Sequence, residues 1–182
     1  LWLTSSVQNV QAKVEIEYRT DTRGWVDATV VAPVGGNPGT TLGEQRRIAI
    51  KHALSQWEKR LDGSVPIALE VNLEALGCED GATVLGYASN LSWYAALDGP
   101  GADPSLVYPS ALANQLMGRD LDTDRPDVSF TVNLSVDEEC RELTGGFYYG
   151  LDGQAGDSSD FVQVVLHEIA HGLGLTHTLD PK

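Results

Sequence analysis

The chain has 182 residues, which is enough for one domain with an apolar core, and we expect residues 1–182 to form a single monomeric domain. Its formal net charge of -14 argues against nucleic acid and anionic membrane surfaces as partners, because both would repel it. No stretch approaches the roughly 18 consecutive apolar residues that a membrane span needs.

The first half of the chain carries three patterns of secondary structure. Residues 10–34 alternate apolar and polar side chains around a central turn, which predicts a hairpin of two strands. Thr41 and Glu44 have the spacing of a capping box, which predicts a helix that reaches about Leu61. Residues 65–76 alternate again and predict a third strand.

The second half begins with a long Gly-, Pro- and Asp-rich excursion over residues 77–127, with one short helix expected near Ser110 to Met117. Residues 127–136 read as a buried strand, and residues 145–153 as a short edge strand that contains GGFYYG. A final helix, FVQVVLHEIAHG, is expected to follow a cap at Asp157 or a neighbouring serine. Together these elements predict an α+β fold.

The final helix places two histidines and a glutamate together. His167 and His171 are four residues apart, so they lie about 40° from one another around a helix axis and about 6 Å along it. Two imidazoles in that arrangement can bind one metal ion. Glu168 lies beside the shared face, too offset to be a convenient ligand but placed to hold a water next to the metal.

A third histidine can reach the same ion only if the helix ends. In a continuous helix His177 would lie about 9 Å further along the axis than His171, so we expect Gly172 and Gly174 to break the helix and return His177 as a ligand. A histidine pair on an apolar helix is otherwise often a buried, hydrogen-bonded pair. Here three of the four histidines fall between residues 167 and 177, which favours a metal site; the remaining one, His52, is expected to be structural.

Residues 167–177, HEIAHGLGLTH, match HExxHxxGxxH at every fixed position, and in this the chain resembles the metzincin zinc peptidases. The resemblance implies an upper subdomain with a twisted mixed sheet, a backing helix and a zinc helix. It further implies peptide bond hydrolysis, with Zn²⁺ held by His167, His171 and His177 and with Glu168 as general base. The peptide or protein substrate would pair with an edge strand, expected at GGFYYG unless those glycines serve only close packing.

The match is incomplete at the C-terminal side. Metzincins place a methionine turn after the third histidine, whereas Met117, the sole methionine, lies 50 residues before His167 (167 minus 117). We therefore expect the chain to be part of a longer protein. The alternative is a non-catalytic module that a metal braces, or an inactive fragment of a protease. Other divalent ions also bind imidazole, so zinc follows from the resemblance.

Export is suggested by three features. Cys78 and Cys140 have no metal-ligand spacing and are expected to form a disulfide, the alternative being two buried thiols. Asn90 and Asn133 each begin a glycosylation sequon, a short pattern that recurs by chance. The chain starts at Leu1 without a preceding signal segment, so we expect a processed, secreted, extracellular protein.

Two acidic stretches are candidates for Ca²⁺. The run DLDTDRPD at residues 120–127 sets carboxylates at alternate positions but lacks the glycine and distal glutamate of an EF-hand, so a solvated loop is the alternative. Asp152 and Asp157, near glycines before the final helix, form a second candidate.

Overall fold

The computed structural model describes residues 10–19, 23–78 and 83–175. The strands are β1 (Val14–Tyr18), β2 (Ile67–Glu74), β3 (Gly86–Asn90), β4 (Trp93–Ala95), β5 (Val107–Pro109), β6 (Val128–Asn133), β7 (Phe147–Tyr148) and β8 (Ser159–Asp160). The helices are α1 (Leu42–Glu58), α2 (Ser110–Met117), α3 (Arg141–Thr144) and α4 (Phe161–Gly172).

The main sheet has four strands in the order β1-β2-β6-β3. β1, β2 and β6 are parallel, and β3 runs antiparallel to β6 at one edge. Because parallel neighbours need a crossover connection, α1 lies between β1 and β2 in the chain. The result is a twisted mixed sheet with helices, which agrees with the α+β prediction.

One face of this sheet and two helices enclose the core. Alternate residues of β2 are buried, as the period of two requires, and β6 is buried along almost its whole length. Helices α1 and α4 pack on the sheet and against each other. The sheet and the two helices contribute to this core Ile50 and Leu54 from α1, Leu69 and Val71 from β2, Val128, Phe130 and Val132 from β6, and Phe161, Val165 and Ile169 from α4.

The predicted backing helix is confirmed as α1, together with its capping box. The Thr41 hydroxyl oxygen accepts a hydrogen bond from the Glu44 backbone N–H at 3.3 Å, and a Glu44 carboxylate oxygen accepts from the Thr41 N–H at 3.1 Å. These two bonds satisfy N–H groups that the first helical turn leaves open. The helix ends at Glu58 instead of Leu61.

The predicted N-terminal hairpin is wrong. β1 pairs with β2 in parallel, and the second half of residues 10–34 contains a short 3-10 turn at Arg23–Val26 in place of a strand. Trp25 in that turn is buried and contacts the Tyr18 ring edge-on, with ring centroids 5.1 Å apart. The alternation that suggested a second strand therefore comes from a turn that anchors its tryptophan in the core.

The predicted edge strand at residues 145–153 is also wrong as an edge of the main sheet. β7 has only two residues and pairs in parallel with β8, outside the four-stranded sheet. Phe147 and Tyr149 point inward, where both rings contact Phe161 at the start of α4, with centroids 5.2 Å and 4.8 Å away. Burial of these rings holds the segment under the helix, so the sheet edge near α4 belongs to β3.

In the described part of the long excursion, residues 77–78 and 83–127, the predicted helix is confirmed as α2. It also contains the β4–β5 hairpin, and a small second core of Leu97, Tyr108 and Ala113 joins that hairpin to α2. The predicted disulfide is present: Cys78 and Cys140 are bonded, with a Cα–Cα distance of 5.6 Å and a sequence separation of 62. Within the described ranges, every helix is too short or too polar to traverse a lipid bilayer.

Candidate metal centre

Helix α4 presents the candidate ligands because its apolar stripe faces the core. Phe161, Val162, Val165 and Ile169 are buried, which leaves His167, Glu168 and His171 on the outer side. The helix begins at Phe161, and its cap is Asp160, whose carboxylate accepts a hydrogen bond from the Gln163 N–H at 3.1 Å. The predicted cap at Asp157 is therefore wrong, because the helix starts too late for Asp157 to reach its N–H groups.

The two imidazoles of α4 converge at their Nε2 atoms. The Nε2 atoms of His167 and His171 are 3.1 Å apart, and the ring planes stand at 86° to each other. Two nitrogens bound to one tetrahedral zinc at about 2.05 Å are separated by about 3.3 Å. The pair thus fits a shared metal ion without rearrangement of the helix, as the spacing of four residues predicts.

A hydrogen bond at the end of α4 fixes the tautomer of the His171 ring. The Nδ1 atom of His171 lies 2.7 Å from the Leu175 backbone carbonyl oxygen, which can only accept, so Nδ1 carries the proton and donates it. The Nε2 atom of a neutral ring then presents its lone pair toward His167. Metal-binding histidines commonly have such an orienting hydrogen bond on the other ring nitrogen.

Gly174 ends α4 as predicted. It has a φ of +102°, and the Leu175 N–H donates to the Ala170 carbonyl at 3.0 Å while the Gly174 N–H donates to the His171 carbonyl at 3.0 Å. This is a Schellman motif, which turns the chain away from the helix axis. Gly172 has a different role from the one predicted: it lies inside the helix, and a Cβ there would overlap Cγ1 of Val128 in the sheet.

The third predicted ligand, His177, lies outside the described residues, two positions beyond Leu175. Its place relative to the imidazole pair stays a prediction.

Glu168 is half-buried beside the imidazole pair. From the helix geometry it is rotated by about 100° from His167 and about 60° from His171, which is too far for a third ligand on the same face. Within the described part of the chain, its carboxylate makes no hydrogen bond or ion pair, so both oxygens can accept a proton from a water held near the histidines.

Strand β3 forms the sheet edge next to α4. The Asn133 N–H donates to the Leu85 carbonyl at 3.0 Å, and the Leu91 N–H donates to the Asp127 carbonyl at 3.1 Å, so odd-numbered residues bond to β6. The backbone N–H and C=O groups of Gly86, Ala88 and Asn90 therefore point away from the sheet. Sequence reasoning missed this strand because GYASN has no apolar–polar alternation and only one strand-favouring side chain, Tyr87.

Two carboxylates of the acidic run at residues 120–127 accept hydrogen bonds from backbone N–H groups of the same run. The Asp120 carboxylate accepts from the Asp122 N–H at 3.0 Å, and the Asp122 carboxylate accepts from the Asp124 N–H at 3.3 Å. Asp127 is buried and accepts from the Ala68 N–H at 3.0 Å, and burial raises the pKa of its carboxyl group. Residues 10–19, 23–78 and 83–175 thus bring no three carboxylates of this run close enough to bind one calcium ion.

Side chains in two other candidate metal clusters are already engaged in bonds within the protein. Asp152 accepts a hydrogen bond from the Tyr148 hydroxyl at 2.8 Å, which lowers the pKa of the Asp152 carboxyl group. Cys78, Glu139 and Cys140 lie close enough to share a metal, but the two sulfurs are joined in the disulfide and cannot act as thiolate ligands.

Folding buries the asparagine of one of the two glycosylation sequons. The side chain of Asn133 is fully buried, and its amide nitrogen donates to the carbonyls of Gly77 and Val84 at 3.1 Å and 2.8 Å. Asn90, at the end of β3, is half-buried.

A buried polar network, which sequence reasoning also missed, supports the segment before α4. The Arg46 guanidinium donates to the Asp137 carboxylate at 2.7 Å and to the Tyr149 hydroxyl at 3.0 Å, and that hydroxyl donates to Asp137 at 2.6 Å. Burial and the neighbouring Asp137 carboxylate raise the pKa of Tyr149 well above its usual value. Since Tyr149 contacts Phe161, this network ties α1 to the start of the helix that carries the histidines.

Comparisons of the chain with protein-family models, with curated proteins and with solved structures give no match.

Proposed function

We propose that the protein is a zinc-dependent endopeptidase of the metzincin type. The observation that carries the proposal is the convergence of the His167 and His171 Nε2 atoms, 3.1 Å apart, within HEIAHGLGLTH. The motif supplies a third histidine, His177, which the proposal assigns as the remaining protein ligand. The alternative, in which the two histidines are only a buried, hydrogen-bonded pair, is disfavoured because His167 is exposed to solvent.

The arrangement of the fold supports this proposal. The mixed sheet, the backing helix α1 and the histidine helix α4 occur in the order that the resemblance implies for an upper subdomain. In the proposal, an extended peptide pairs with the outward N–H and C=O groups of Gly86, Ala88 and Asn90 on β3, in place of the GGFYYG segment. Addition of a strand to an open sheet edge provides backbone hydrogen bonds that are independent of substrate sequence.

The proposed chemistry assigns one role to each side chain. When bound, zinc lowers the pKa of a coordinated water to near 7 and polarises the scissile carbonyl. His167 and His171 bind through Nε2, and the Leu175 carbonyl keeps the proton of His171 on Nδ1. Glu168 accepts a proton from the attacking water as oxygen bonds to the carbonyl carbon. It then delivers that proton to the amine nitrogen as the C–N bond breaks.

Secretion is part of the proposal. The Cys78–Cys140 disulfide supports it, because such bonds persist mainly in oxidising compartments.

Cleavage of an unstructured protein tests the activity. We expect reduced, alkylated casein to be cut, a chelator to stop the cleavage, and added Zn²⁺ to restore it. Glu168→Gln should lower kcat by a factor of about 100 or more, because it removes general base catalysis. The exposed Glu139→Gln variant is the matched control and should cleave normally. Full activity of Glu168→Gln would refute the assigned role.

Metal binding is tested separately by calorimetric titration of the chelator-treated protein with Zn²⁺. We expect one ion per chain, with affinity lost in His167→Gln and His171→Gln and retained in His52→Gln, because His52 lies on α1 away from the pair. One tightly bound ion without any hydrolysis would favour the metal-braced module instead. Equal affinity in all three variants would refute the metal site.

A further inference from the structure

The β4–β5 hairpin has two apolar faces. Tyr108 and its neighbours pack on α2 in the second core, which accounts for the inner face. On the outer face Trp93 is paired with Pro109, and Ala95 is paired with Val107. Directly opposite residues in an antiparallel pair lie on the same face, so these four side chains form one apolar surface.

Most of the outer face is open to solvent. Trp93 is 52% exposed and Val107 is 58% exposed, and Ala95 is exposed as well. The solvent face of an antiparallel pair is normally polar, and a tryptophan offers the largest apolar contact area of any side chain. We call Trp93, Ala95 and Val107 the hairpin surface.

Pro109 connects the hairpin surface to the C-terminal turn of α4, the helix that carries the imidazole pair. Pro109, the partner of Trp93, is buried against the end of α4, where a Cβ on Gly174 would lie 2.8 Å from the Pro109 ring. The next residue, Leu175, carries the carbonyl that accepts from His171. Thus, within the described residues, the apolar face begins at the C-terminal turn of α4 and continues to the half-exposed Trp93.

The hairpin surface also continues the edge formed by β3. Only two residues separate β3 from β4, and the Ser110 N–H donates to the Ser92 carbonyl at 3.0 Å, which fixes the hairpin at the end of that edge. An extended peptide advances about 3.3 Å per residue. A peptide lying along β3 with one bond at the histidines would therefore bring a side chain to Trp93 within about four residues of that bond.

We propose that the hairpin surface binds a large apolar side chain of the substrate, so that the enzyme selects peptides with an aromatic or long aliphatic residue within about four positions of the cleaved bond. This inference rests on the proposed function, because the same site positions both the peptide and the surface. The occupant is a peptide side chain because the surface follows the open edge of β3 and is joined through Pro109 to the turn that ends α4.

Cleavage profiling tests the selection. A library of random decapeptides is digested with the zinc-loaded protein, and cut sites are read by mass spectrometry. We expect enrichment of apolar residues at one position, and a drop of about 10-fold or more in kcat/KM for those peptides in Trp93→Ser. Cleavage of peptides without an apolar residue should not change. Trp93→Phe should retain the preference, and Leu143→Ser, which changes another exposed apolar side chain, on α3, should match the wild type.

A binding measurement separates this inference from the proposed activity. The Glu168→Gln protein is titrated with a hexapeptide containing a central Phe and with the same peptide containing Ser. Tighter binding of the Phe peptide that disappears on adding Trp93→Ser would support the surface even if the wild type cuts nothing. No difference between the peptides, together with unselective cleavage or none, would overturn the inference. A concentration-dependent dimer that Trp93→Ser abolishes, without any change in peptide selection, would also overturn it.

Discussion

The buried side chain of Arg46 allows a quantitative test of the fold around α4. Its guanidinium is 2% exposed and donates to Asp137, to the Tyr149 hydroxyl, and to the Gly24 carbonyl at 2.9 Å. Arg46→Met removes all three bonds and leaves the Asp137 carboxylate buried at 8% exposure. Among residues 10–19, 23–78 and 83–175, its remaining donors are then the Tyr149 hydroxyl and the Phe147 N–H.

We expect Arg46→Met to lower the free energy of unfolding by about 3–5 kcal/mol, because removal of one partner leaves an uncompensated buried charge. That is a large part of the roughly 5–15 kcal/mol that holds a typical domain together. Urea denaturation followed by tryptophan fluorescence measures the loss. Arg60→Met is the matched control; the Arg60 side chain is exposed and donates to the Gln56 carbonyl, so its loss should cost less than about 0.5 kcal/mol.

The double variant Arg46→Met/Asp137→Asn isolates the charge effect. Since asparagine leaves no buried charge, the double variant should be more stable than the sum of the single losses by about 1–3 kcal/mol. The reasoning is refuted if Arg46→Met costs less than about 1 kcal/mol, or if the two substitutions are additive within about 0.5 kcal/mol.

Three further outcomes are expected. Replacement of Cys78 and Cys140 by alanine should cost about 4 kcal/mol in urea denaturation, because the bond closes a loop with a sequence separation of 62, and a loss under 1 kcal/mol would contradict this reasoning. Gly172→Ala should destabilise the protein by about 1–3 kcal/mol, since the added Cβ overlaps Val128 and this outweighs the gain of about 1 kcal/mol in helix propensity; a raised melting temperature would show otherwise. A hydrogen bond from the Thr40 backbone N–H, and secondly one from the Thr40 hydroxyl, lower the pKa of the Glu44 carboxyl group below its usual 4.5. The stability that the Glu44 carboxylate adds to the fold is therefore present above pH 4.5 and is lost as the pH falls through the folded-state pKa. Glu44→Gln should therefore flatten the acid limb of a stability-against-pH series, and an unchanged limb would exclude this role.

Local sequence was sufficient for features whose causes are close in the chain. The capping box of α1 involves two residues three positions apart, and α2 and the buried strand β6 follow from short runs of side chains. The imidazole pair of α4 is of the same kind, because the pitch of a helix alone brings residues four apart together. The break at Gly174 needs only glycine's access to positive φ.

Strand pairing required contacts that no local pattern specifies. Alternation marks a residue's face but does not identify its partner strand, so β1 appeared to belong to a hairpin although it pairs with β2 more than fifty residues away. The short strand β3 has no pattern of its own, and only its hydrogen bonds to β6 make it an edge beside α4.

Short-range sequence is enough to specify the motif, the helix that carries it and the convergence of two imidazoles, because each depends on the geometry of one helix. Tertiary packing sets which strand edge lies beside α4, places the hairpin that carries Trp93 against the end of that helix, and buries Arg46 in an ionic network. Those features depend on side chains far apart in the chain, whose meeting is set by the packing of the whole core.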